Sequence, residues 1–220
     1  YYVDLGSGRF MSTIHVQGAW NPHEQHMGPV SGILAHSLEN FQPRADLRIA
    51  RISYDILGLI PDGEFEVVTT MLRSGRTIEL VQAELVSGGR TAVRATAWRL
   101  QLSDTSAIEG IEDEPMSGPP ESGAVATLGE WPGKYIHSID IRTLPGHAPG
   151  HGRAWIRPRH PLVSPGTFSD LARLIGVADT SNGVAVRVEP GPGGYAFPNV
   201  DLQLHLYREP HGEWLGLQNS

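Results

Sequence analysis

The sequence has no cysteine among its 220 residues, and this absence removes three kinds of chemistry. A disulfide framework, a cysteine nucleophile and a thiolate metal site all require cysteine. Cationic side chains are also scarce, since 17 Lys and Arg face 24 Asp and Glu and leave a formal net charge of −7. Nucleic-acid phosphates are bound by clustered Lys and Arg, so this balance argues against a nucleic-acid partner.

The chain also lacks a run of apolar residues near the roughly 20 that a membrane-spanning helix needs, and it shows no signal peptide. Because a cysteine-free chain is compatible with a reducing compartment, we expect a cytoplasmic location. Two histidine pairs, His23/His26 and His147/His151, raise the alternative of a zinc site. The second pair lies in GHAPGHG, where Pro and Gly prevent the helix that would align it. We therefore expect neither a metal nor a cofactor.

One stretch has the composition of a linker. Residues 103–123, SDTSAIEGIEDEPMSGPPESG, are rich in Gly, Pro, Ser and acidic residues and contain little to bury. They divide the chain into a predicted N-terminal domain over residues 1–102 and a predicted C-terminal domain over residues 124–220.

The first half predicts a strand, a helix and then a run of antiparallel strands. A short strand is expected in STIHVQGAW, and a helix in GPVSGILAHSLEN, where Pro29 suits the first helical position. Gly32 and Ala35 are too small to hold this helix away from a neighbour, so we expect a sheet to wrap around it. Four strand patterns with hairpin breaks follow it: LRIARISYDILGLI, GEFEVVTTMLRSG, RTIELVQAELVSGG and RTAVRATAWRLQL.

The second half follows a similar order. Strands are expected in YIHSIDIRTL and GRAWIRPR, then a helix in TFSDLARLIGVAD that Thr167 can cap, and then strands in GVAVRVEP and VDLQLHLYREPHGEW. A turn of the form Pro-x-Gly-Glu-aromatic occurs in both halves, beginning at Pro61 and at Pro210. This repeat predicts that one supersecondary unit was duplicated.

The duplication predicts further residues after the given sequence. In the first half, two hairpin-linked strands follow the repeated turn and extend to Leu102, whereas the second half stops at Ser220 within the first corresponding strand. An antiparallel sheet without its last strands would keep an unpaired edge. We therefore expect the natural protein to continue beyond Ser220.

A helix wrapped by an antiparallel sheet, twice over, resembles the double-hotdog acyl-CoA thioesterases of the thioesterase II type. Four segments carry the resemblance over nearly the whole chain: GAWNPHEQHMGPVSGILAHSLE, ISYDILGLIPDGEFEVVTTMLRSGRTIELVQAELVSGGRTAVRATAW, PLVSPGTFSDLARLIGVADTSNG and NVDLQLHLYREPHGEWLGL. The resemblance implies an α+β fold of two tandem hotdog domains, hydrolysis of fatty acyl-CoA to free acid and CoA, and a homo-oligomer. CoA would then be half of the substrate and not a bound cofactor. An acyl-CoA-binding module or a hydratase with this fold is the alternative.

The resemblance also implies a catalytic Asp at the start of the strand that follows the second helix. Asp201 occupies that place, and its first-half counterpart is Ile52. The Thr and Gln that accompany this Asp in the family would lie beyond Ser220. From the residues alone, Asp201 could equally lie on a solvated face, because apolar and polar residues alternate along VDLQLHLYR.

Thioester hydrolysis needs a group that stabilises the oxyanion and a group that activates water. The start of the first helix offers backbone N–H groups and a positive dipole end, and HMGPV places His26, Met27 and Gly28 there. We predict that these three residues bind the substrate, with Gly28 allowing close approach of the carbonyl. Asp201 would position the attacking water, aided by Gln203 on the same strand. His26 could equally be a surface loop histidine.

Overall fold

The computed structural model of the chain describes residues 1–112, 114–119, 131–188 and 198–219. Within these ranges it contains two α-helices, α1 (Met27–Asn40) and α2 (Asp170–Ala178). The strands are β1 (Tyr2–Gly6), β2 (Arg9–Ser12), β3 (Leu47–Ile56), β4 (Glu64–Arg73), β5 (Ile78–Ser87), β6 (Arg90–Gln101), β7 (Ile139–Thr143), β8 (Gly152–Pro158), β9 (Val163–Ser164), β10 (Asp201–His205) and β11 (Leu215–Asn219). Neither of these helices combines the length and the apolar character that spanning a membrane requires.

The strands of the described ranges form two sheets. An eight-stranded sheet has the order β10-β3-β6-β5-β4-β2-β1-β9, and a three-stranded sheet has the order β11-β8-β7. All neighbouring pairs are antiparallel except β1 and β9. The four long strands β3 to β6 lie within the four alternating patterns of the first half, which confirms the predicted antiparallel run.

Strand β10 joins the second half of the chain to the sheet of the first half. It pairs with β3, so that Leu204 lies opposite Ile52 and Leu202 lies opposite Tyr54. Among the described residues, each of these two strands is the first strand after the helix of its own half. The equivalent glycines of the repeated turn also share one unusual backbone conformation, with φ of 93° at Gly63 and 88° in the second copy. Both observations agree with the predicted duplication.

The two helices pack against each other through residues that have no side chain. A Cβ atom on Gly28 would lie 2.6 Å from Tyr135 Oη and 2.9 Å from the carbonyl oxygen of Gly176. A Cβ atom on Gly32 would lie 3.0 Å from the carbonyl oxygen of Ala172. Since the earlier residue of α1 meets the later residue of α2, the helices run antiparallel, and the start of each lies beside the end of the other.

Buried polar atoms connect this helix pair to the sheet. Ser31 Oγ lies 2.7 Å from the carbonyl oxygen of Gly28 and 2.9 Å from that of Ile175, which links α1 to α2. Tyr54 Oη donates a hydrogen bond of 2.9 Å to the carbonyl of Ser31, which links α1 to β3. The apolar residues of α1 without any solvent exposure are Val30, Ile33, Leu34, Ala35 and Leu38. The predicted helix wrapped by a sheet is therefore confirmed.

The region before α1 differs from the prediction. Instead of the strand expected in STIHVQGAW, the chain forms a short turn of 3-10 helix at Ile14–Val16. The chain must turn here because Val16 is buried and its carbonyl accepts a hydrogen bond of 2.7 Å from the backbone N–H of His26. The helix then begins at Met27, two residues before Pro29.

Two details around α2 also differ. Ser169 and not Thr167 caps this helix, since Ser169 Oγ accepts a hydrogen bond of 3.0 Å from Ala172 N. The strand expected in GVAVRVEP is a turn over residues 183–188, because the chain continues the helical winding after α2, and residues 189–190 lie outside the described residues. Of the predicted linker 103–123, residues 103–112 are exposed and the last part is not described, so the domain boundaries stay a prediction.

Replacing Gly28 with Ala should lower the free energy of unfolding by about 1–3 kcal/mol, because the methyl group overlaps the Tyr135 hydroxyl and an α2 carbonyl. Gly176→Ala is the matched control in the same helix contact. Its Cβ atom would lie 3.7 Å from the Cα atom of Gly32, an ordinary distance, and Ala favours a helix over Gly by roughly 0.5–1 kcal/mol. Urea unfolding measures both variants, and an equal loss of stability in the two would contradict the described packing.

Candidate active site

Each end of the antiparallel helix pair carries an acidic residue beside the first turn of the other helix. At one end, Asp179, which directly follows α2, lies against His26, the N-cap residue of α1. At the other end, Glu39 in the last turn of α1 accepts a hydrogen bond from Ser169, the N-cap residue of α2. The thirteen residue steps from His26 to Glu39 separate these ends by roughly 20 Å. We call them the Asp179 end and the Glu39 end.

At the Asp179 end, the carboxylate accepts one hydrogen bond and lies beside the ring of His26. Asp179 Oδ2 lies 3.4 Å from His26 Nδ1, and Oδ1 accepts a hydrogen bond of 2.7 Å from Asn199 Nδ2. The Asp179 side chain is only 5% exposed. This burial raises the pKa of Asp179, while His26 and the hydrogen bond from Asn199 oppose the rise. A buried carboxyl group with a raised pKa is suited to accept a proton during catalysis.

His26 acts as the cap of α1 in its neutral form. Its Nδ1 accepts a hydrogen bond of 3.0 Å from the backbone N–H of Gly28, so the ring hydrogen lies on Nε2. Burial lowers the pKa of His26, and the carboxylates of Asp179 and Glu24 oppose this change. The side chain keeps 17% exposure, so the ring forms the more accessible wall of the Asp179 end.

The ring of Tyr135 packs against the imidazole ring of His26. The two rings lie with their centroids 4.2 Å apart, and Tyr135 Oη donates a hydrogen bond of 2.9 Å to the carbonyl of Gly176 in α2. Complete burial raises the pKa of the Tyr135 hydroxyl well above its ordinary value, so the hydroxyl stays protonated and remains a donor. Tyr135 therefore fixes the imidazole ring relative to the end of α2.

A chain of side-chain amides orients Asp179. Asn182 Nδ2 donates a hydrogen bond of 2.8 Å to Asn199 Oδ1, and this assigns the opposite atom of Asn199, Nδ2, as the donor to Asp179. Asn199 lies two residues before the first residue of β10. The joining of β10 to β3 thus places Asn199 at the Asp179 end.

The first turn of α1 keeps one amide for a ligand. The N–H of Gly28 is used by His26, and Pro29 has none. The N–H of Met27 has no acceptor among the described residues. Because the helix dipole places partial positive charge at this turn, the Met27 N–H is a donor suited to an oxygen that gains negative charge.

The predicted substrate-binding residues of α1 are brought together, and Gly28 also contributes to helix packing. His26, Met27 and Gly28 all lie at the first turn beside Asp179. The missing side chain of Gly28 makes room for Tyr135 and Gly176, and the predicted binding of substrate by these three residues stays a prediction.

Asp201 and Gln203 lie elsewhere than the sequence predicts. Both are on the exposed face of β10, while Leu202 and Leu204 between them pack against the core. Since side chains alternate along a strand, the two polar residues point away from the helix pair. Asp201 lies opposite the exposed Asp55 in the register of β10 with β3. In this structure the acidic residue at the start of α1 is therefore Asp179 and not Asp201, and the catalytic role of Asp201 stays a prediction.

Sequence reasoning missed Asp179, Asn199 and Tyr135 as functional candidates. For Asp179 a signal existed, since TFSDLARLIGVAD ends with an acid directly after the apolar face of the helix. Its neighbours Ala178 and Thr180 are both buried. Asn199 and Tyr135 lie in stretches without a local pattern, and only the folded chain brings them to the helix ends.

The histidine pairs considered for zinc have other partners. His23 Nδ1 lies 3.6 Å from Asp62 Oδ2, and His147 Nδ1 accepts a hydrogen bond of 3.1 Å from Arg153 N. In the described ranges, no three His, Asp or Glu side chains come together in a way that could hold a metal ion.

Comparison with protein families gives one match for each half of the chain. The family model described as the acyl-CoA thioesterase N-terminal domain matches residues 16–100, and the one described as the acyl-CoA thioesterase C-terminal domain matches residues 113–220. Together the two matches span most of the sequence. No curated protein matches the chain at a significant level.

Solved structures with similar folds include three bacterial proteins. A conserved protein of unknown function with a hot dog fold from Alicyclobacillus acidocaldarius has a TM-score of 0.69 at 14% identity, over 94% of this chain and 76% of that one. A thioesterase II candidate from Thermobifida fusca YX has a TM-score of 0.67 at 19% identity, over 98% and 81%. A thioesterase candidate from Novosphingobium aromaticivorans DSM 12444 has a TM-score of 0.64 at 18% identity, over 97% and 83%. At these identities the similarity establishes the fold alone, and it confirms the predicted α+β double hotdog.

The contact between Asp179 and His26 predicts how the pKa of His26 changes when Asp179 is replaced. In the unaltered protein the pKa of His26 should lie below 6.5, and Asp179→Asn should lower it further, because a nearby carboxylate that favours the imidazolium is removed. NMR titration of the histidine ring signals measures both values. Asp62→Asn, beside the exposed His23, is the matched control and should leave the pKa of His26 unchanged. A rise of this pKa in Asp179→Asn would contradict the described contact.

Proposed function

Because this chain belongs to the acyl-CoA thioesterase family, we propose that the Asp179 end is where it hydrolyses an acyl-CoA thioester to the free acid and CoA. One observation carries the choice of this end. A carboxylate that is only 5% exposed lies at the first turn of a helix whose Met27 N–H has no acceptor among the residues that the structure describes. This combination offers a base for water and a donor for the oxyanion within one helix turn.

In the proposed reaction, Asp179 accepts a proton from a water molecule as the oxygen of that water attacks the thioester carbonyl carbon. The carbonyl oxygen becomes negatively charged and is stabilised by the Met27 N–H and the positive end of the α1 dipole. The carbon–sulfur bond then breaks, the acid is released, and the leaving CoA sulfur takes up the proton from Asp179. Each proton and each bond is accounted for without a cofactor.

The other residues of this end act as positioning residues in the proposal. Asn199 holds one carboxylate oxygen of Asp179 at 2.7 Å, which leaves the second oxygen for water. Tyr135 holds the His26 ring, and His26 in turn caps Gly28 and shapes the first turn of α1. A rigid first turn supports this mechanism, because a donor that is already oriented toward the developing charge needs no reorganisation during the reaction.

The central test compares two aspartates. Asp179→Asn should reduce kcat/KM for an acyl-CoA by roughly 10²–10⁴-fold, because it removes the proton acceptor and keeps the shape of the side chain. Asp201→Asn is the matched control, since Asp201 is exposed on the outer face of β10. Free-thiol release measures turnover with a panel of acyl-CoAs. A large loss in Asp201→Asn with full activity in Asp179→Asn would reverse the assignment in favour of the residue that the sequence predicts.

The same assay gives a pH readout. Protonated Asp179 cannot accept a proton, so kcat/KM should fall as the pH falls through the pKa of Asp179, which burial raises above 3.8. The acid limb of the profile should therefore lie above pH 3.8 in the unaltered protein, and the remaining activity of Asp179→Asn should not show it. If the acid limb of kcat/KM lay at the same pH in the unaltered protein and in Asp179→Asn, the limb would belong to another group.

Assembly and location are the finer parts of the proposal. The family resemblance supports a homo-oligomer and a substrate with a fatty acyl chain. The homo-oligomer is also supported by large apolar side chains that are exposed on the outer face of the sheet: Val68, Leu72, Ile78 and Leu100. Analytical ultracentrifugation should give a mass above that of one chain, and a purely monomeric species would contradict this part. The cytoplasmic location is supported by the cysteine-free sequence, and cell fractionation tests it.

A further inference from the structure

The Glu39 end opens into a cavity that the proposed reaction does not use. Its volume is about 330 Å³, within the range of pockets that hold small molecules. Glu39 and Ser169 line it, roughly 20 Å along α1 from the Asp179 end. We propose that this cavity binds an amphiphilic carboxylate, with the carboxylate at a cationic mouth and the apolar chain against the wall of the helix pair.

One wall of the cavity is apolar. Leu47 and Ile49 of β3 are almost fully buried there, and Leu171 of α2 and Leu206 after β10 pack against the same core. These four side chains come from β3, from α2 and from the residue that follows β10. They present hydrocarbon surface to the cavity, and hydrocarbon surface favours a ligand with an aliphatic chain.

Two arginines of the cavity mouth, Arg48 and Arg208, form no ion pair within the part of the chain that the structure describes. Arg48 Nη2 donates a hydrogen bond of 3.3 Å to the carbonyl of Tyr207, which places Arg48 beside Arg208. In the described ranges no carboxylate lies within 4 Å of the charged groups of Arg48 and Arg208. His211 lines the same mouth. Two guanidinium groups at one opening are suited to a carboxylate, which accepts hydrogen bonds from both.

Two carboxylates of the lining have no cation within 4 Å in the described ranges: Glu39, which accepts a hydrogen bond from Ser169, and Glu209, whereas the other charges, apart from the arginines of the mouth, are compensated. Asp170 is bound by Arg173 Nη1 at 2.8 Å and by the backbone N–H of Gly212 at 2.9 Å. Arg99, deeper in the cavity, forms an ion pair with Glu79 and donates hydrogen bonds to backbone carbonyls. Glu209 is exposed and has no cationic partner among the described residues, so its charge opposes an anion at the mouth. Replacing Glu209 with a neutral residue should therefore strengthen the binding of an anion, the opposite of the effect expected for the arginine variants.

A fatty acid is an amphiphilic carboxylate, and it is also the product of the proposed hydrolysis. The possible role of the cavity in product control rests on the proposed function, but the binding does not. The binding is therefore tested on the Asp179→Asn variant of this chain, in which turnover plays no part. A failure of binding and a failure of hydrolysis are then separate results.

Isothermal titration calorimetry with decanoate tests the proposal, with decanol as the ligand of equal chain length that lacks the charge. Decanoate should bind to Asp179→Asn, and addition of Arg208→Gln or Arg48→Gln should weaken binding by about tenfold or more, since each removes a charged donor. Arg9→Gln, an exposed arginine on β2, is the matched control and should leave binding unchanged. Glu209→Gln should strengthen binding, which a merely unfolded variant could not do.

Leu206→Trp, which fills the cavity from its apolar wall, should abolish decanoate binding while circular dichroism shows the native fold. If that variant loses its fold, the charge variants decide the matter alone. Three results would overturn the proposal: no decanoate binding, equal binding in Arg208→Gln and Arg9→Gln, or binding of inorganic phosphate or CoA at this mouth in place of decanoate.

Discussion

The close contact between α1 and α2 is the constraint on which both helix ends depend. Gly28 brings the backbone of α1 so near to α2 that an added Cβ atom would lie 2.9 Å from the carbonyl of Gly176. This distance sets the position of His26 relative to Asp179, because each residue directly adjoins its helix at that contact. A larger residue would separate the helices and move the acid away from the turn that it serves.

The sequence predicted the parts of this fold that local patterns determine. Alternation placed β3 to β6, and the apolar face placed α1, because burial on one side leaves a period in the sequence. The candidate site depended on two facts without a local pattern. One is which face of β10 turns inward, which the pairing with β3 decides and which leaves Asp201 outside. The other is the antiparallel helix contact, which brings Asp179 to a turn more than 150 residues earlier in the chain.

Burial at the Asp179 end disfavours charge on both partners, and the consequences for stability have opposite signs. The lowered pKa of His26 means that the folded state resists its protonation, so this group destabilises the fold as the pH falls below the unfolded value of 6.5. The raised pKa of Asp179 means that the folded state resists its ionisation, so this group destabilises the fold as the pH rises through its folded pKa. Ionising Asp179 in the folded protein therefore costs free energy, which the hydrogen bond from Asn199 and the positive end of the α1 dipole offset. Taking a proton from water removes this cost.

Each of the two helix ends places an acidic residue beside the N-cap residue of the other helix, but the ends differ in their access to water. Asp179 is buried and bound by the amide of Asn199, whereas Glu39 lies beside a cavity with arginines at its mouth. Hydrolysis in our proposal needs the enclosed form, because an oriented base and a single free amide act more strongly when other water is excluded. Binding of an amphiphile needs the open form, because a chain must enter and a charged group must remain at the surface. Two antiparallel helices can supply both, since each half contributes one helix start and one helix end, and only the surrounding side chains differ.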